Sequence, residues 1–242
     1  MLVYRYEMGQ KIGEGAFGAV FQGRNKRTSE PVAIKLQSRA DITNMKYEAK
    51  IYQYLNSMKC DFVPQIKWFG IVEDSHYLVM ELLGERIGKT NKSNAMDVGL
   101  QLIDALCHLH KYSLIHRDVK PANILYGCGN KWNKIYLIDF GLAKRYECHA
   151  KHMDFKYIHG LIGSPNYVSL NVHRLNEPSR RDDLVSAIYV IMGMYMDLPW
   201  LNVDNKKEMK EQIEMELLSY IYNLQFEDDP DYEKVKRLLL KV

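Results

Sequence analysis

Two stretches decide the reading of this chain: Ile115-His116-Arg117-Asp118-Val119-Lys120-Pro121-Ala122-Asn123 and, downstream, Leu137-Ile138-Asp139-Phe140-Gly141. Each polar position in them suits a distinct task. Asp118 can accept the proton of a substrate hydroxyl or orient that hydroxyl. Lys120 can reach a phosphoryl group in transfer. Asn123 and Asp139 offer oxygens to a hard divalent cation, and magnesium sits among such oxygens and substrate phosphates. Taken singly, the first stretch could be a turn and the second a capped loop. Four separated positions in fixed order are hard to produce by chance.

Upstream lies Ile12-Gly13-Glu14-Gly15-Ala16-Phe17-Gly18-Ala19-Val20. Its glycines fit an ordinary hairpin turn as well as a phosphate-binding loop. They fall between two expected strands, whereas a dinucleotide fingerprint places them between a strand and a helix. A glycine hairpin would still let backbone N–H groups approach phosphates. Next comes Val32-Ala33-Ile34-Lys35. A lysine on a buried strand needs a partner, and the following helix offers Glu48 on the side away from its solvent charges. A Lys35–Glu48 ion pair would hold the ammonium against the α- and β-phosphates of a nucleotide. The alternative is a lysine that snorkels at a sheet edge.

Composition sets the frame. The 242 residues are 47% hydrophobic and 26% charged, as in a soluble globular protein with material for one large domain or two small lobes. Lys plus Arg number 33 against 30 Asp plus Glu, and a net charge of +3 falls well short of a nucleic-acid binder. Cys60, Cys107, Cys128 and Cys148 form no CxxC pair, which disfavours zinc ribbons and a disulfide framework and fits reduced thiols. The N-terminus carries charge too early for a signal peptide, and no apolar run is long enough for a membrane helix. The expectation is an intracellular, cytoplasmic or nuclear monomer with no nucleic-acid or membrane partner.

Periodicity predicts strands over 4–12, 19–23, 31–37, 66–72 and 76–82. Met45, Ala49, Tyr52 and Leu55 predict a helix over 44–58. Further helices are predicted over 93–111, N-capped by Ser93, and over about 181–196, apolar nearly all round. Helical patterns also occupy 206–225 and 232–241. The fold class is α+β: an antiparallel-sheet lobe with one major helix over about 1–82, and a mainly helical lobe over about 83–242. A ligand cleft between the lobes is expected.

Together these motifs resemble a eukaryotic protein kinase catalytic domain across essentially the whole chain, and more narrowly the casein kinase I family. The narrower resemblance rests on YEAKIY (47–52), LVMELLG (78–84), NKIYLIDFGLAK (133–144) and SRRDD (179–183). It rests also on Ser169-Leu170-Asn171, where most protein kinases carry Ala-Pro-Glu and this family has Ser-Ile-Asn. The resemblance implies a serine/threonine kinase that transfers the γ-phosphoryl of ATP, with Mg2+, to acidic or already phosphorylated protein substrates. It implies that Lys35, Glu48, Asp118, Lys120, Asn123 and Asp139 do the chemistry, Asn123 and Asp139 holding metal. Gly13, Gly15 and Gly18 would cover the phosphates. Ile12, Val20, Ala33, Leu125 and Ile138 would sandwich the adenine. Met80 would be the gatekeeper, and the backbone of Glu81 and Leu83 would bond the ring. Tyr52, His116 and Phe140 would stack as a spine, Asp183 would tie down the catalytic loop, and Ser164 would lie beside Asp118. The rival reading is a nucleotide-binding scaffold without turnover; a kinase for small molecules is a second.

Three departures from the family bear on function. The segment 85–92 is short and polar, so a helix flanking the ribose pocket is expected to be trimmed. A second shortening follows Leu198-Pro199-Trp200. The usual Gly-Thr-Ala-Arg-Tyr appears as Gly163-Ser164-Pro165-Asn166-Tyr167, with His159 in place of a lysine. Asparagine cannot bind phosphate bidentately as arginine does, so recognition of a primed phosphate should weaken. Arg117, Lys144, Arg145, Lys151 and Lys156 keep the region basic, or simply form a solvated face. His149, His152 and His159 lack the spacing of zinc ligands and read as surface residues.

Overall fold

The computed structural model describes residues 2–15, 18–38, 42–213 and 215–242. Two of the residues in the glycine-rich stretch, Ala16 and Phe17, lie outside the described residues. The chain divides into two compact units, Met1–Glu85 with Leu125–Gly141, and Arg86–Ile124 with Leu142–Val242.

The first unit is built on six strands: β1 (Leu2–Val3), β2 (Tyr6–Gly15), β3 (Gly18–Asn25), β4 (Pro31–Ser38), β5 (Ile66–Val72) and β6 (Ser75–Glu81). They form one antiparallel sheet in the order β1-β2-β3-β4-β6-β5. Alternation along β4 explains its two faces. Val32 and Ile34 point into an apolar cluster with Val3, Tyr6, Tyr77 and Val79. Ala33 and Lys35 take the other face, opposite Met80 and Leu78 on β6, with Val20 of β3 across from Lys35. Helix α1 (Ile42–Ser57) buries Met45, Ala49, Tyr52 and Leu55, the stripe expected from spacing, and starts two residues earlier than predicted.

The glycine cluster is a hairpin between strands. Gly15 pairs with Gly18, so β2 runs on past residue 12, with irregular register between Met8 and Gly13. Gly18 has φ +132°, and a Cβ there would meet the Leu36 carbonyl oxygen at 2.1 Å. Only glycine fits that position.

The second unit is helical. Helix α2 (Lys92–Lys111) packs against α4 (Arg180–Tyr195) and α7 (Tyr232–Leu239). The N-cap of α2 is Asn91 rather than Ser93. Asn91 has extended backbone and its Oδ1 accepts from the Asn94 N–H at 2.9 Å, while Ser93 sits within the first turn. Helix α4 is buried nearly all round. The pattern over 206–225 is divided between α5 (Lys206–Glu211), which buries Lys210, and α6 (Glu216–Tyr222), which buries Leu217, Leu218 and Ile221. A short helix, α3 (Leu170–His173), precedes α4. Residues 85–91 form no helix. Among the described residues no helix is long and apolar enough to cross a membrane.

Small ribbons carry the motifs. Strand β7 (Leu114–Ile115) pairs with β10 (Lys144–Arg145), bracketing the catalytic-type loop. Strands β8 (Ile124–Tyr126) and β9 (Ile135–Leu137) lead to Asp139, and β11 (Glu147–Cys148) pairs with β12 (Lys151–His152).

Candidate active site

In the first unit, the lysine of β4 has found its partner. Lys35 Nζ lies 2.7 Å from Glu48 Oε2 of α1 and 3.5 Å from Asp139 Oδ1. Lys35 therefore does not snorkel at an edge. Burial alone would lower its pKa, but the two carboxylates outweigh that and raise it, so the ammonium stays charged. One cation against two carboxylates leaves a net negative charge on the Asp139 side. Asp139 has φ +65°, a conformation held by its N–H donating to Tyr52 Oη at 3.0 Å. Phe140, fully buried, meets the Tyr52 ring edge-on at 5.1 Å. Asp139 Oδ2 has no protein partner among the described residues.

The nucleotide-type positions all fall in this unit. Gly13, Gly15 and Gly18 form the hairpin, and Ile12 is exposed beside it. Val20, Ala33 and Met80 share the sheet face with Lys35. After β6, the Glu81 N–H donates to Gln65 O, Gly84 N–H to Tyr126 O, and Tyr126 N–H to Glu85 O. Leu83, between them, is half-buried and has no backbone hydrogen bond described. Leu125 and Ile138 sit at the β8 strand and just after β9.

In the second unit, Asp118 is nine-tenths buried at the hub of a closed network. Its Oδ2 lies 2.6 Å from Lys120 Nζ, and its Oδ1 accepts from Ser164 Oγ at 2.8 Å. Lys120 Nζ also donates to Ser164 Oγ at 3.0 Å. Asn123 Nδ2 donates to Asp118 O at 2.9 Å and to Oδ2 at 3.2 Å. That fixes the amide, leaving Asn123 Oδ1 without a described protein partner. Pro121 opens the 3-10 turn that carries Asn123, where its missing N–H costs nothing.

The loop itself is strained and anchored. Arg117 has φ +67°, and a Cβ on Gly163 (φ +97°) would strike the Arg117 carbonyl oxygen at 2.5 Å. Asp183, at the start of α4, accepts from the His116 N–H at 2.7 Å and the Arg117 N–H at 2.9 Å. Its Oδ2 also meets His110 Nε2 at 3.1 Å. Burial favours the protonated carboxyl, but the His110 hydrogen bond and the charges of His110 and His116 hold Asp183 below the usual range.

Of the further residues that matter here, Glu177 carried no local signal, whereas Asp182 stands three residues after Ser179 at capping-box spacing. Glu177, nearly inaccessible, takes Lys144 Nζ at 2.9 Å, Arg117 Nη1 at 3.4 Å and Lys156 Nζ at 3.7 Å. Asp182 Oδ1 accepts from Ser169 Oγ at 2.5 Å and Asn171 Nδ2 at 3.2 Å, and its Oδ2 from the Ser179 N–H at 2.8 Å. The Ser-Leu-Asn and SRRDD stretches are thus one buried cluster. Asn166 Oδ1 and Nδ2 make no described bond, while its carbonyl accepts from Trp200 Nε1 at 2.7 Å. His149 and His159 are exposed, and His152 packs between the Tyr146 and Phe226 rings.

The residues fit a magnesium nucleotide on chemical grounds. Within the first unit, Asp139 Oδ2 is a hard oxygen without a partner among the described residues, and Lys35 is a charged donor beside that carboxylate. Within the second, Asn123 Oδ1 is likewise a hard oxygen without a described partner. Among the described residues no group of three or more His, Cys, Asp or Glu side chains could hold a metal ion by itself. Magnesium, which prefers phosphate oxygens and water beside one or two protein ligands, does not need one. The sequence model of the protein kinase domain matches residues 6–241, so the chain belongs to the protein kinase family, phosphotransferases that use ATP, normally with Mg2+.

Proposed function

We propose that this chain is an active serine/threonine protein kinase of casein kinase I type, transferring the γ-phosphoryl of Mg-ATP to hydroxyls in acidic protein substrates. The observation that carries the reading is the Asp118–Lys120–Ser164 triangle, closed at 2.6, 2.8 and 3.0 Å. A scaffold without turnover has no need to hold a buried carboxylate, a lysine and a hydroxyl in mutual contact.

Each side chain has a task in transfer. Asp118 Oδ2 orients the incoming hydroxyl and takes its proton, once Lys120 leaves it for the phosphoryl oxygens. Ser164 keeps Asp118 Oδ1 in place as that exchange occurs. Lys35, held by Glu48, binds the α- and β-phosphates. Asp139 and Asn123 would hold Mg2+, which neutralises charge on the phosphates when bound. Catalysis of this kind is mostly positioning and electrostatics, so each loss should depress rate more than stability.

Support for the casein kinase I assignment is the Asp182 cluster, which joins Ser169, Asn171 and SRRDD in one set of bonds. Acidic substrates are favoured by Arg145, Lys151 and Lys156 on the surface of the segment after Asp139. Asn166 stands where the family has a phosphate-binding arginine, so acidic residues should serve nearly as well as a primed phosphate. Phosphorylation of a degenerate peptide library, with phosphoamino-acid analysis, tests this. Phosphoserine and phosphothreonine should form, with less than tenfold gain from a phosphoserine three residues before the acceptor. Phosphotyrosine as the main product, or strict dependence on priming, would refute the assignment.

A further inference from the structure

Beneath the segment that carries Ser164 lies a buried lysine with no acidic partner. Lys210 of α5 is 2% exposed, and among the described residues no carboxylate pairs with it. Its Nζ donates to the carbonyl oxygens of Pro165 at 2.9 Å and Val168 at 2.7 Å, and lies 3.2 Å from His173 Nε2. Three acceptors match the three N–H bonds of an ammonium. The rings of Tyr189 and Trp200 face the same nitrogen at 5.0 and 5.6 Å. Burial, and then the charge of Lys206, push its pKa down to about 7. An ammonium placed against that electrostatic cost is doing something other than filling space.

We propose that Lys210 is a positioning residue for phosphoryl transfer, a clasp on the 165–168 segment that holds Ser164 against Asp118 and Lys120. The proposal rests on the kinase reading above. The chain of contacts is continuous. Lys210 fixes the carbonyls of Pro165 and Val168, and Trp200 Nε1 fixes one of the two between them, Asn166 O, at 2.7 Å. The same segment is a tight turn in which the N–H groups of Tyr167 and Val168 both donate to Ser164 O, at 2.8 and 3.0 Å. Gly163, pressed on the Arg117 carbonyl, fixes the other end. Ser164 Oγ is thereby set where it meets Asp118 and Lys120. Lys210 itself contacts neither, so it acts through the turn.

The test compares Lys210→Met and Lys210→Arg with the wild type in the full chain. Casein and Mg-ATP give kcat and KM, and hydrogen exchange reads the Tyr167 and Val168 amides without any substrate. Loss of the clasp misplaces Ser164, and misplacement on the ångström scale costs on the order of 10- to 100-fold in kcat. Lys210→Met should show that fall, an ATP KM within about twofold of wild type, and faster exchange at the two amides. Lys210→Arg, which keeps charge and donors, should recover most of both. A Lys210→Met enzyme with wild-type kcat and exchange would overturn the proposal. So would equal losses in both variants that merely track a fall in Tm. Should Lys210→Met not fold, His173→Phe removes one acceptor from the partly exposed side, and unchanged kcat with unchanged exchange there overturns the proposal equally. Absence of phosphoryl transfer by the wild type would instead refute the kinase reading, leaving the clasp to be judged by exchange alone.

Discussion

The carboxylate of Asp183 holds the backbone of Arg117 in the left-handed region: Oδ1 accepts the Arg117 N–H at 2.9 Å while the residue sits at φ +67°. A non-glycine residue in that region costs about 1–3 kcal/mol and persists only where its surroundings impose it. Since Asp118 is the next residue along, the strain and its anchor set the direction in which the Asp118 carboxylate points.

Asp183→Asn should therefore hurt twice. The amide presents N–H toward N–H at one backbone donor, and a hydrogen bond to a charged acceptor is worth about 1.5–3 kcal/mol. A comparable loss of stability in urea unfolding is expected, with a drop in kcat of roughly 10²-fold as Asp118 shifts. Normal turnover with the stability loss would separate the loop from its anchor.

Glu177 sits among three cations, with Lys144 and Arg117 at 2.9 and 3.4 Å. Removing the buried member of such a set leaves charges unpaired, though Lys144 and Lys156 are open enough to water to soften the loss. Glu177→Gln should cost about 1–3 kcal/mol. Adding Lys144→Met should restore part of it, because one unpaired charge then disappears. Additive losses in the double variant would mean the two residues do not interact.

The pKa of His173 is lowered from 6.5 to about 4, first by burial and then by the charge of Lys210. The folded imidazole therefore stays neutral while the unfolded one takes up a proton below about pH 6.5. The unfolded state then binds more protons, so stability falls as pH drops from about 6.5 to 4. His173→Phe should flatten that part of a Tm-versus-pH curve, whatever its effect at pH 7. An unchanged slope would show that other groups set it.

Gly18 offers a steric test. A side chain there would meet Leu36 O at 2.1 Å from a backbone at φ +132°. Gly18→Ala should raise the ATP KM by deforming the hairpin while leaving urea unfolding of the helical unit little changed. An unaltered KM would remove the hairpin from nucleotide binding.

What the sequence made legible was whatever is written in local spacing. The strand lysine and helix glutamate, Lys35 and Glu48, lie in elements whose periods are plain, and the structure brings them to 2.7 Å. Asp118, Lys120 and Asn123 occur within one loop, so their contacts follow from a short stretch of chain. Glu177 and Lys210 were invisible because their partners come from elsewhere in the second unit, and a buried charge has no period. Lys210 even sits in a run that reads as an ordinary charged helix. The α2 cap was misassigned because Asn91 and Ser93 are both competent caps. The backbone chose the one with extended φ and ψ.

The most direct measurement is transfer of labelled γ-phosphate from ATP to casein by the wild type, by Asp139→Asn and by the wild type in excess EDTA. Transfer should occur with Mg2+, vanish in EDTA, and fall by at least about 10³-fold in Asp139→Asn, while the Tm of the variant stays within a few degrees of wild type. Undiminished transfer by Asp139→Asn, or none by the folded wild type with Mg2+ present, would contradict a magnesium-dependent kinase built on these residues.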